Sequence, residues 1–99
     1  MIESVYEACL VHELHLRGLK AERQVTLPVE YRNLRLDAGL WLDMVVERSA
    51  VVELKAVETI LPVHKAQLLT YLKLPGYRLG LLINFNSVLI KDGIHRIIL

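Results

Sequence analysis

The spacing of apolar residues changes at Gly18, and this change restricts most strongly what the chain can fold into. Before that glycine the apolar side chains recur close to every 3.6 residues, which predicts a helix over residues 3–17. Gly18 supplies the left-handed position that commonly ends a helix. After it the apolar period falls to two, which is typical of β-strands, so we expect helix and sheet in one fold. The apolar positions of the helix are Ile2, Val5, Tyr6, Cys9, Leu10, Leu14 and Leu16.

Three runs of strand length follow, at residues 24–31, 40–47 and 50–57. Pro28 in the first run has no N–H to donate, which predicts an edge position or an irregular strand. The second and third runs are joined by a short link, and this spacing predicts an antiparallel hairpin.

A second helix and a fourth strand come next along the chain. Pro62 is tolerated in the first turn of a helix, and Pro75-Gly76 is predicted to close that helix. Its apolar residues predict a broad buried face made of Val63, Ala66, Leu68, Leu69 and Leu72. Residues 78–85 form an apolar run of strand length, which predicts a central strand buried on both faces.

The tail, residues 88–99, contains two short apolar runs around residues 91–93, which predict a hairpin turn. The predicted order is therefore α-β-β-β-α-β with a small C-terminal extension. Two helices packed on a mixed sheet of about four strands make a layered α/β fold of suitable size.

Composition limits the classes of protein to consider. The 99 residues are 54% hydrophobic, and 12 Lys+Arg nearly balance 11 Asp+Glu. A chain of this length holds one core, which predicts a single domain over residues 1–99. The low net charge gives no general attraction for phosphate, so nucleic-acid binding would need a local patch, bound cations or a dimer groove. The lone Cys9 cannot form an internal disulfide and the apolar runs are too short to cross a membrane, so we expect a cytoplasmic protein.

Three charged residues interrupt adjacent apolar strands: Asp43 in LWLDMVV, and Glu53 and Lys55 in AVVELKAV. A lone Glu-x-Lys in a strand is most often a solvent-facing ion pair. Asp43 changes this interpretation if it shares a sheet face with Glu53, which requires a pairing whose residue numbers have an even sum. A two-residue turn at residues 48–49 gives an odd sum, whereas a three-residue loop or a bulge gives an even one. We predict the even register.

The chemistry of such a cluster is specific. Two carboxylates and a backbone carbonyl, here that of Leu54, form a hard oxygen site suited to Mg²⁺. A metal there neutralises a scissile phosphate and lowers the pKa of a bound water. The Lys55 ammonium is the candidate to orient the nucleophile or to stabilise developing charge.

Two pairs of helical residues are further candidates. Gln67 and Tyr71 are four residues apart and share a helix face, which would put Gln67 near a metal-bound water and Tyr71 near a nucleic-acid backbone. An exposed polar stripe is an equally good interpretation of this pair. Glu3 and Tyr6 also share a face, although an acid at the start of a helix is often explained by the helix dipole alone.

These residues resemble the PD-(D/E)XK nuclease superfamily and, more specifically, its GxxExxY family of bacterial and archaeal proteins. The similarity covers almost the whole chain, and the superfamily's restriction-endonuclease-like core has the predicted α-β-β-β-α-β order. The similar segments are ESVYEACL at 3–10, RLDAGLWLDMVVE at 35–47, VVELKAVE at 51–58, HKAQLLTYLKLPG at 64–76 and LGLLINFNSVLIKDGIHRI at 79–97.

The resemblance implies a role for each matching residue. Asp43 corresponds to the strand acid, and Glu53 with Lys55 to the E-x-K pair. Gln67 and Tyr71 correspond to the Gln-x-x-x-Tyr element of recombination-associated exonuclease domains.

The first helix also matches the family, with Glu3 as the helix glutamate that contributes to the metal site in archaeal Holliday-junction resolvases and Tyr6 as the family's tyrosine. The family's glycine would precede Met1, so we expect an N-terminally short domain. Residues 39–42 lack the Tyr and Arg that similar proteins often carry before the strand acid.

Together these features predict a nuclease dependent on Mg²⁺ or Mn²⁺ that hydrolyses phosphodiester bonds of DNA, or of RNA. The expected catalytic residues are Asp43, Glu53, Lys55 and Gln67; the metal ligands are Asp43, Glu53, Leu54 and Glu3; the residues that contact nucleic acid are Tyr71, Tyr6, Lys73 and Arg78. The alternative is an inactive module of the same fold that binds nucleic acid or a protein partner, which the balanced charge and the missing arginine favour.

The assembly state can also be predicted. The apolar content is high for 99 residues, and the C-terminal IHRIIL strand can pair with the edge of a neighbouring sheet. We therefore expect a homodimer.

Overall fold

The elements follow the predicted order in a computed structural model that describes residues 3–73, 77–87 and 90–99. A single five-stranded sheet has the spatial order β1-β2-β3-β4-β5, and its β3–β4 pair is parallel while the other pairs are antiparallel. The elements are α1 (Glu3–Leu16), β1 (Ala21–Tyr31), β2 (Leu34–Val46), β3 (Ala50–Lys55), α2 (Pro62–Lys73), β4 (Leu79–Asn84), a 3-10 helix (Ile90–Gly93) and β5 (Ile94–Ile98).

The end of α1 and the start of α2 are both set by local sequence features. Gly18 has φ 79°, and Leu19 donates its N–H to the Leu14 carbonyl at 2.9 Å, which closes the last turn of α1. Pro62 is the first residue of α2. One residue earlier, the Leu61 N–H is satisfied by Nδ1 of His64 at 2.9 Å.

The two helices cover opposite faces of the sheet, because successive strand residues alternate between two core clusters. Val51 and Leu82 lie in the α2-side core with Leu68 and Leu72 of α2. Val52, Leu54 and Ile83 lie in the α1-side core, and the α1 residues Tyr6, Leu10, Val11 and Leu14 pack against it.

Close approach of α2 to the sheet depends on Gly80 in β4. A Cβ at this position would lie 3.0 Å from the Cγ and Cδ2 atoms of Leu68, closer than ordinary van der Waals contact. The absence of a side chain at Gly80 therefore lets Leu68 of α2 rest directly on the backbone of β4.

The β1–β2 hairpin is longer than predicted. β2 begins at Leu34 and pairs with β1 near both of its ends, whereas it pairs with β3 only through Met44–Val46. The far end of the hairpin, residues 29–36, is called the distal arm below. As Pro28 predicts, β1 is an edge strand and its register shifts between Leu27 and Val29.

The hairpin between β2 and β3 has the predicted even register. Val46 pairs with Ala50, and the loop contains three residues, Glu47, Arg48 and Ser49. The first two have φ values of 53° and 52°, and the Ser49 N–H donates to the Val46 carbonyl at 3.1 Å. The predicted even register is therefore confirmed, and of the two ways to reach it, a three-residue loop or a bulge, the chain has the loop.

Two expectations were wrong. Residues 91–93 lie in the 3-10 helix that leads into β5, because Gly93 packs on the backbone of Asn84, where a Cβ would lie 2.1 Å from the Asn84 carbonyl oxygen. α2 buries only Leu68 and Leu72, while Val63 is 63% exposed. The predictions for Ile2, for Leu74 to Gly76 and for Val88 and Leu89 lie outside the described residues. No helix in the described ranges is long and apolar enough to cross a membrane.

Candidate functional site

The backbone pairing of β2 with β3 ends at Asp43, and there the two strands are joined by hydrogen bonds from backbone N–H groups to side chains. The backbone pairing ends at Met44 and Val52, and the same register places Asp43 opposite Glu53. The Asp43 N–H donates to Oε1 of Glu53 at 3.2 Å, and the Leu54 N–H donates to Oδ2 of Asp43 at 2.9 Å. These reciprocal bonds fix two carboxylates side by side.

The electrostatics of this pair are unfavourable without a cation. Glu53 is 8% exposed, and burial, followed by the nearby Asp43 charge, raises the pKa of its carboxyl to about 8. The Asp43 N–H and the Lys55 charge act in the opposite direction but are outweighed. The site therefore favours a bound positive charge or a proton.

Lys55 and Glu3 lie within electrostatic range of the same pair. The Lys55 charge lowers the pKa of both Glu53 and Glu3. Partial burial and the Asp43 charge nevertheless raise the pKa of Glu3, which lies at the exposed start of α1. Four of the charged residues singled out in the sequence, from β2, β3 and α1, thus lie in one region.

Gln67 and Tyr71 form a separate pair on α2. The Gln67 side-chain amide donates to the Tyr71 hydroxyl at 2.8 Å, and Gln67 is exposed. Tyr71 also packs against the α2-side core. Within the described residues no hydrogen bond links this pair to Asp43 or Glu53.

The other residues predicted to contact nucleic acid are spread over the molecule. The Tyr6 ring stacks on Phe85 with a centroid distance of 4.8 Å and an interplanar angle of 12°, and burial raises the pKa of its hydroxyl. Lys73 and Arg78 are exposed; Lys73 is the last residue of α2, and Arg78 directly precedes β4. Tyr6 therefore lies on the α1 side of the sheet, whereas Tyr71 lies on the α2 side.

Sequence reasoning missed two buried polar residues near these charges. Glu7 is 3% exposed and is bonded by Arg23 and Gln24. Asn84 is 4% exposed and bonds both the N–H and the carbonyl of Val57. A signal for Glu7 was present, since it lies on the helical stripe that contains Leu10 and Leu14.

The donor set fits a hard divalent cation. In the parts of the chain that the structure describes, no three His, Cys, Asp or Glu side chains form a group that could hold a metal ion. Mg²⁺, however, is usually bound by one or two carboxylates and completes its coordination with water and substrate oxygens. Oδ1 of Asp43 and Oε2 of Glu53 stand outside the two backbone bonds described above, so each carboxylate has an oxygen for such an ion.

Comparison with known protein families gave a match over nearly the whole chain. A family model for the PD-(D/E)XK nuclease superfamily matches residues 1–97. Neither curated proteins nor solved structures gave a significant match. A mixed sheet with a helix on each face is consistent with the restriction-endonuclease-like fold expected from the sequence. Because the match spans nearly the whole chain, the protein belongs to the PD-(D/E)XK nuclease superfamily.

Proposed function

We propose that the protein is a nuclease that uses Mg²⁺ or Mn²⁺ to hydrolyse phosphodiester bonds, with DNA as the preferred substrate, and that it belongs to the GxxExxY family. The observation that carries this proposal is the pair of carboxylates at Asp43 and Glu53, fixed by reciprocal backbone bonds and accompanied by the Lys55 charge. Two adjacent carboxylates can hold a divalent metal ion that neutralises a phosphate and activates a water, and a lysine beside them can stabilise the charge that develops.

Each residue of the pair would act through a defined atom. Asp43 and Glu53 would bind the ion through the oxygens outside their backbone bonds, with the Leu54 carbonyl as a further ligand and Glu3 on the α1 side. The ion, when bound, supplies neutralisation of the phosphate and a more acidic water. The Lys55 ammonium would orient the attacking water or stabilise charge that develops on the phosphate.

The proposed nucleic-acid contacts lie farther out. Gln67 and Tyr71, already hydrogen-bonded to each other, would act as a unit, with Gln67 directed to the water and Tyr71 to the backbone of the substrate. Lys73 and Arg78 are exposed cations that would bind phosphate oxygens. Tyr6 would contact substrate only at the α1 side.

The direct test is cleavage of labelled single-stranded, duplex and branched DNA, and of RNA, with Mg²⁺ or Mn²⁺. We expect cleavage that chelation abolishes, and a loss of about 10²-fold or more in Lys55→Ala, because the ammonium stabilises charge in the transition state.

The matched control for this test is Lys20→Ala, which removes an exposed lysine between α1 and β1 and should leave the rate unchanged. Cleavage by Lys55→Ala at the wild-type rate would reject the role of Lys55. Absence of cleavage of every substrate by the wild-type protein would reject the nuclease proposal.

A module that binds a partner without catalysis is the second candidate. The distal arm favours it, because Tyr31, Leu34 and Leu36 are exposed by 66%, 58% and 51%. Register places Tyr31 opposite Leu34 and Val29 opposite Leu36, so these apolar side chains share one face. Calorimetry that detects no saturable Mg²⁺ or Mn²⁺ binding would favour this candidate over the nuclease.

We also propose a homodimer formed through β5. This strand ends the sheet, and its Ile94 and Ile98 are 44% and 64% exposed. An exposed strand edge with apolar side chains can pair with a second edge, and each added charge opposes that pairing. Arg96 already lies between the two isoleucines, so a lysine at position 98 would place a second positive charge on the same edge. We expect sedimentation to give a dimer at micromolar concentration and Ile98→Lys to give a monomer.

The control for the dimer is Leu16→Lys, at a residue that is 69% exposed at the end of α1, a helix that packs on β1 and β3. It should remain dimeric. A monomeric wild-type protein, or a dimer that tolerates Ile98→Lys, would contradict assembly through β5.

A further inference from the structure

Glu7 is a buried carboxylate that the proposed chemistry does not use. Only 3% of it is exposed, yet it is fully engaged: Arg23 Nε donates to its Oε1 at 2.9 Å, and Gln24 Nε2 lies 3.2 Å from Oε1 and 3.3 Å from Oε2. A buried charge is costly unless it is paired and hydrogen-bonded, and this one has both kinds of partner. The carboxylate therefore holds two consecutive residues of β1 in fixed positions.

The second of these residues has a backbone conformation that needs support. Gln24 has φ 51° within a β-strand. An L residue other than glycine adopts this region rarely, and it persists where the surrounding structure dictates it. The hydrogen bonds from the Gln24 side chain to Glu7 are contacts of this kind.

Gln24 lies directly across from Asp43. The flanking pairs are Arg23 with Met44 and Val25 with Leu42, so Gln24 and Asp43 face each other between them. Asp43 is also the residue at which β2 leaves β3. The irregular position in β1 and the candidate metal ligand in β2 thus occupy the same point of the hairpin.

At this point the side chains at alternate positions of the hairpin switch from one face of the sheet to the other. Ala21 and Met44, on one side of it along the hairpin, belong to the α1-side core. Leu27 and Leu42, on the other side of it, belong to the α2-side core. The switch therefore occurs at Gln24 and Asp43, which are called the crossing point of the hairpin below.

We propose that Glu7 is a positioning residue for the candidate site: through Gln24 and Arg23 it fixes the crossing point of the hairpin and thereby holds Asp43 against Leu54 and Glu53. Its value for catalysis rests on the proposed function, but the positioning itself does not. Glu7 acts at one remove, since Gln24 lies between it and Asp43.

The test compares local with general loss of structure in Glu7→Gln, in which one acceptor becomes a donor that faces the Gln24 amide. We expect amide hydrogen exchange at Leu54, whose N–H is bonded by Asp43, to accelerate about tenfold or more while the paired amides of Val51 and Val52 change little. Mn²⁺ affinity, measured by calorimetry, should fall by about 10–100-fold, as is typical when a supporting residue of a metal site is lost.

Two further variants separate positioning from a simple attachment of α1 to the sheet. Gln24→Gly accepts positive φ without strain, so Glu7→Gln should have a much smaller effect on Leu54 exchange in that background. Gln24→Ala tests the same link without removing Glu7, which keeps its Arg23 partner, and remains available if Glu7→Gln does not fold. The control is Glu13→Gln, the same change in an exposed ion pair of α1.

Each outcome decides the matter. Equal acceleration of exchange at Leu54, Val51 and Val52, with the same effect in the Gln24→Gly background, would overturn positioning and leave only attachment of the helix. Failure of the wild-type protein to bind Mn²⁺ or to cleave would reject the proposed function, while the exchange at Leu54 would still decide the role of Glu7.

Discussion

Asp43→Asn should lower the rate of metal-dependent cleavage by about 10³-fold or more, because it removes one of the two charges that would hold the ion and leaves the transition state without that electrostatic support. Asparagine has the same shape and keeps an oxygen that can accept the Leu54 N–H, now bonded by Asp43 at 2.9 Å. The variant should therefore fold normally, as judged by circular dichroism. Rates are compared at saturating Mg²⁺ or Mn²⁺ with a labelled DNA substrate.

Asp92→Asn provides the matched control. It makes the same change of charge at an exposed residue of the 3-10 helix and should cleave at the wild-type rate. Wild-type cleavage by Asp43→Asn would place the chemistry elsewhere in the molecule. Equal loss in both variants would point to the overall charge of the protein and away from a metal ligand.

The second large effect concerns stability without metal. Burial and the Asp43 charge raise the pKa of Glu53 from 4.5 to about 8. Between these values the unfolded chain is ionised at Glu53 while the folded protein keeps the proton, so the free energy of unfolding falls as pH rises across this window. Below the window both states are protonated, and above it both are ionised, so this contribution no longer changes.

Glu53→Gln should remove that loss. A pKa change of one unit corresponds to about 1.4 kcal/mol. Because the pKa rises from 4.5 to about 8 and most of this difference has taken effect by pH 8, we expect the variant to be more stable than the metal-free wild type by about 4 kcal/mol at that pH. For a domain of this size this is a rise of about 20 °C in Tm. Thermal unfolding in the presence of a chelator, followed by circular dichroism at pH 5 and pH 8, measures the effect.

The same experiment contains its own check on metal binding. Mn²⁺ should raise the Tm of the wild-type protein and leave that of Glu53→Gln nearly unchanged, because a ligand stabilises only the state that binds it. Glu58→Gln, at an exposed residue after β3, should behave as wild type at both pH values. A Glu53→Gln protein less stable than wild type at pH 8 would contradict the raised pKa.

The parts of the fold that were predictable from sequence depend on local signals. Gly18 ends α1 because a glycine there accepts positive φ. The register of Asp43 and Glu53 follows from the length of one short loop. Only two cases had to be compared, because the residue numbers of a pair have either an odd or an even sum, and only an even sum places both acids on one face. Adjacent misfit charges were therefore enough to predict which carboxylates come together.

The parts that were missed depend on contacts between distant segments. Glu7 carries the helical period of an apolar residue but meets Arg23 and Gln24, which lie 16 and 17 residues later. The positive φ of Gln24 could not be predicted, because glycine and asparagine are the residues that usually indicate this conformation and neither occurs at position 24. The exposure of Val63 was missed because periodicity identifies the apolar face of α2 but does not show how much of that face the sheet covers.

The short hairpin that joins the two acids also sets the order in which the site is assembled. Asp43 and Glu53 are ten residues apart in the chain, and a hairpin of this size closes in about 1–10 μs. Parallel pairing of β3 with β4 must wait for the whole α2 crossover to close, which is intrinsically slower. We therefore expect the two acids to come together early in folding, before the slower steps that bury Glu53 and complete the sheet around them.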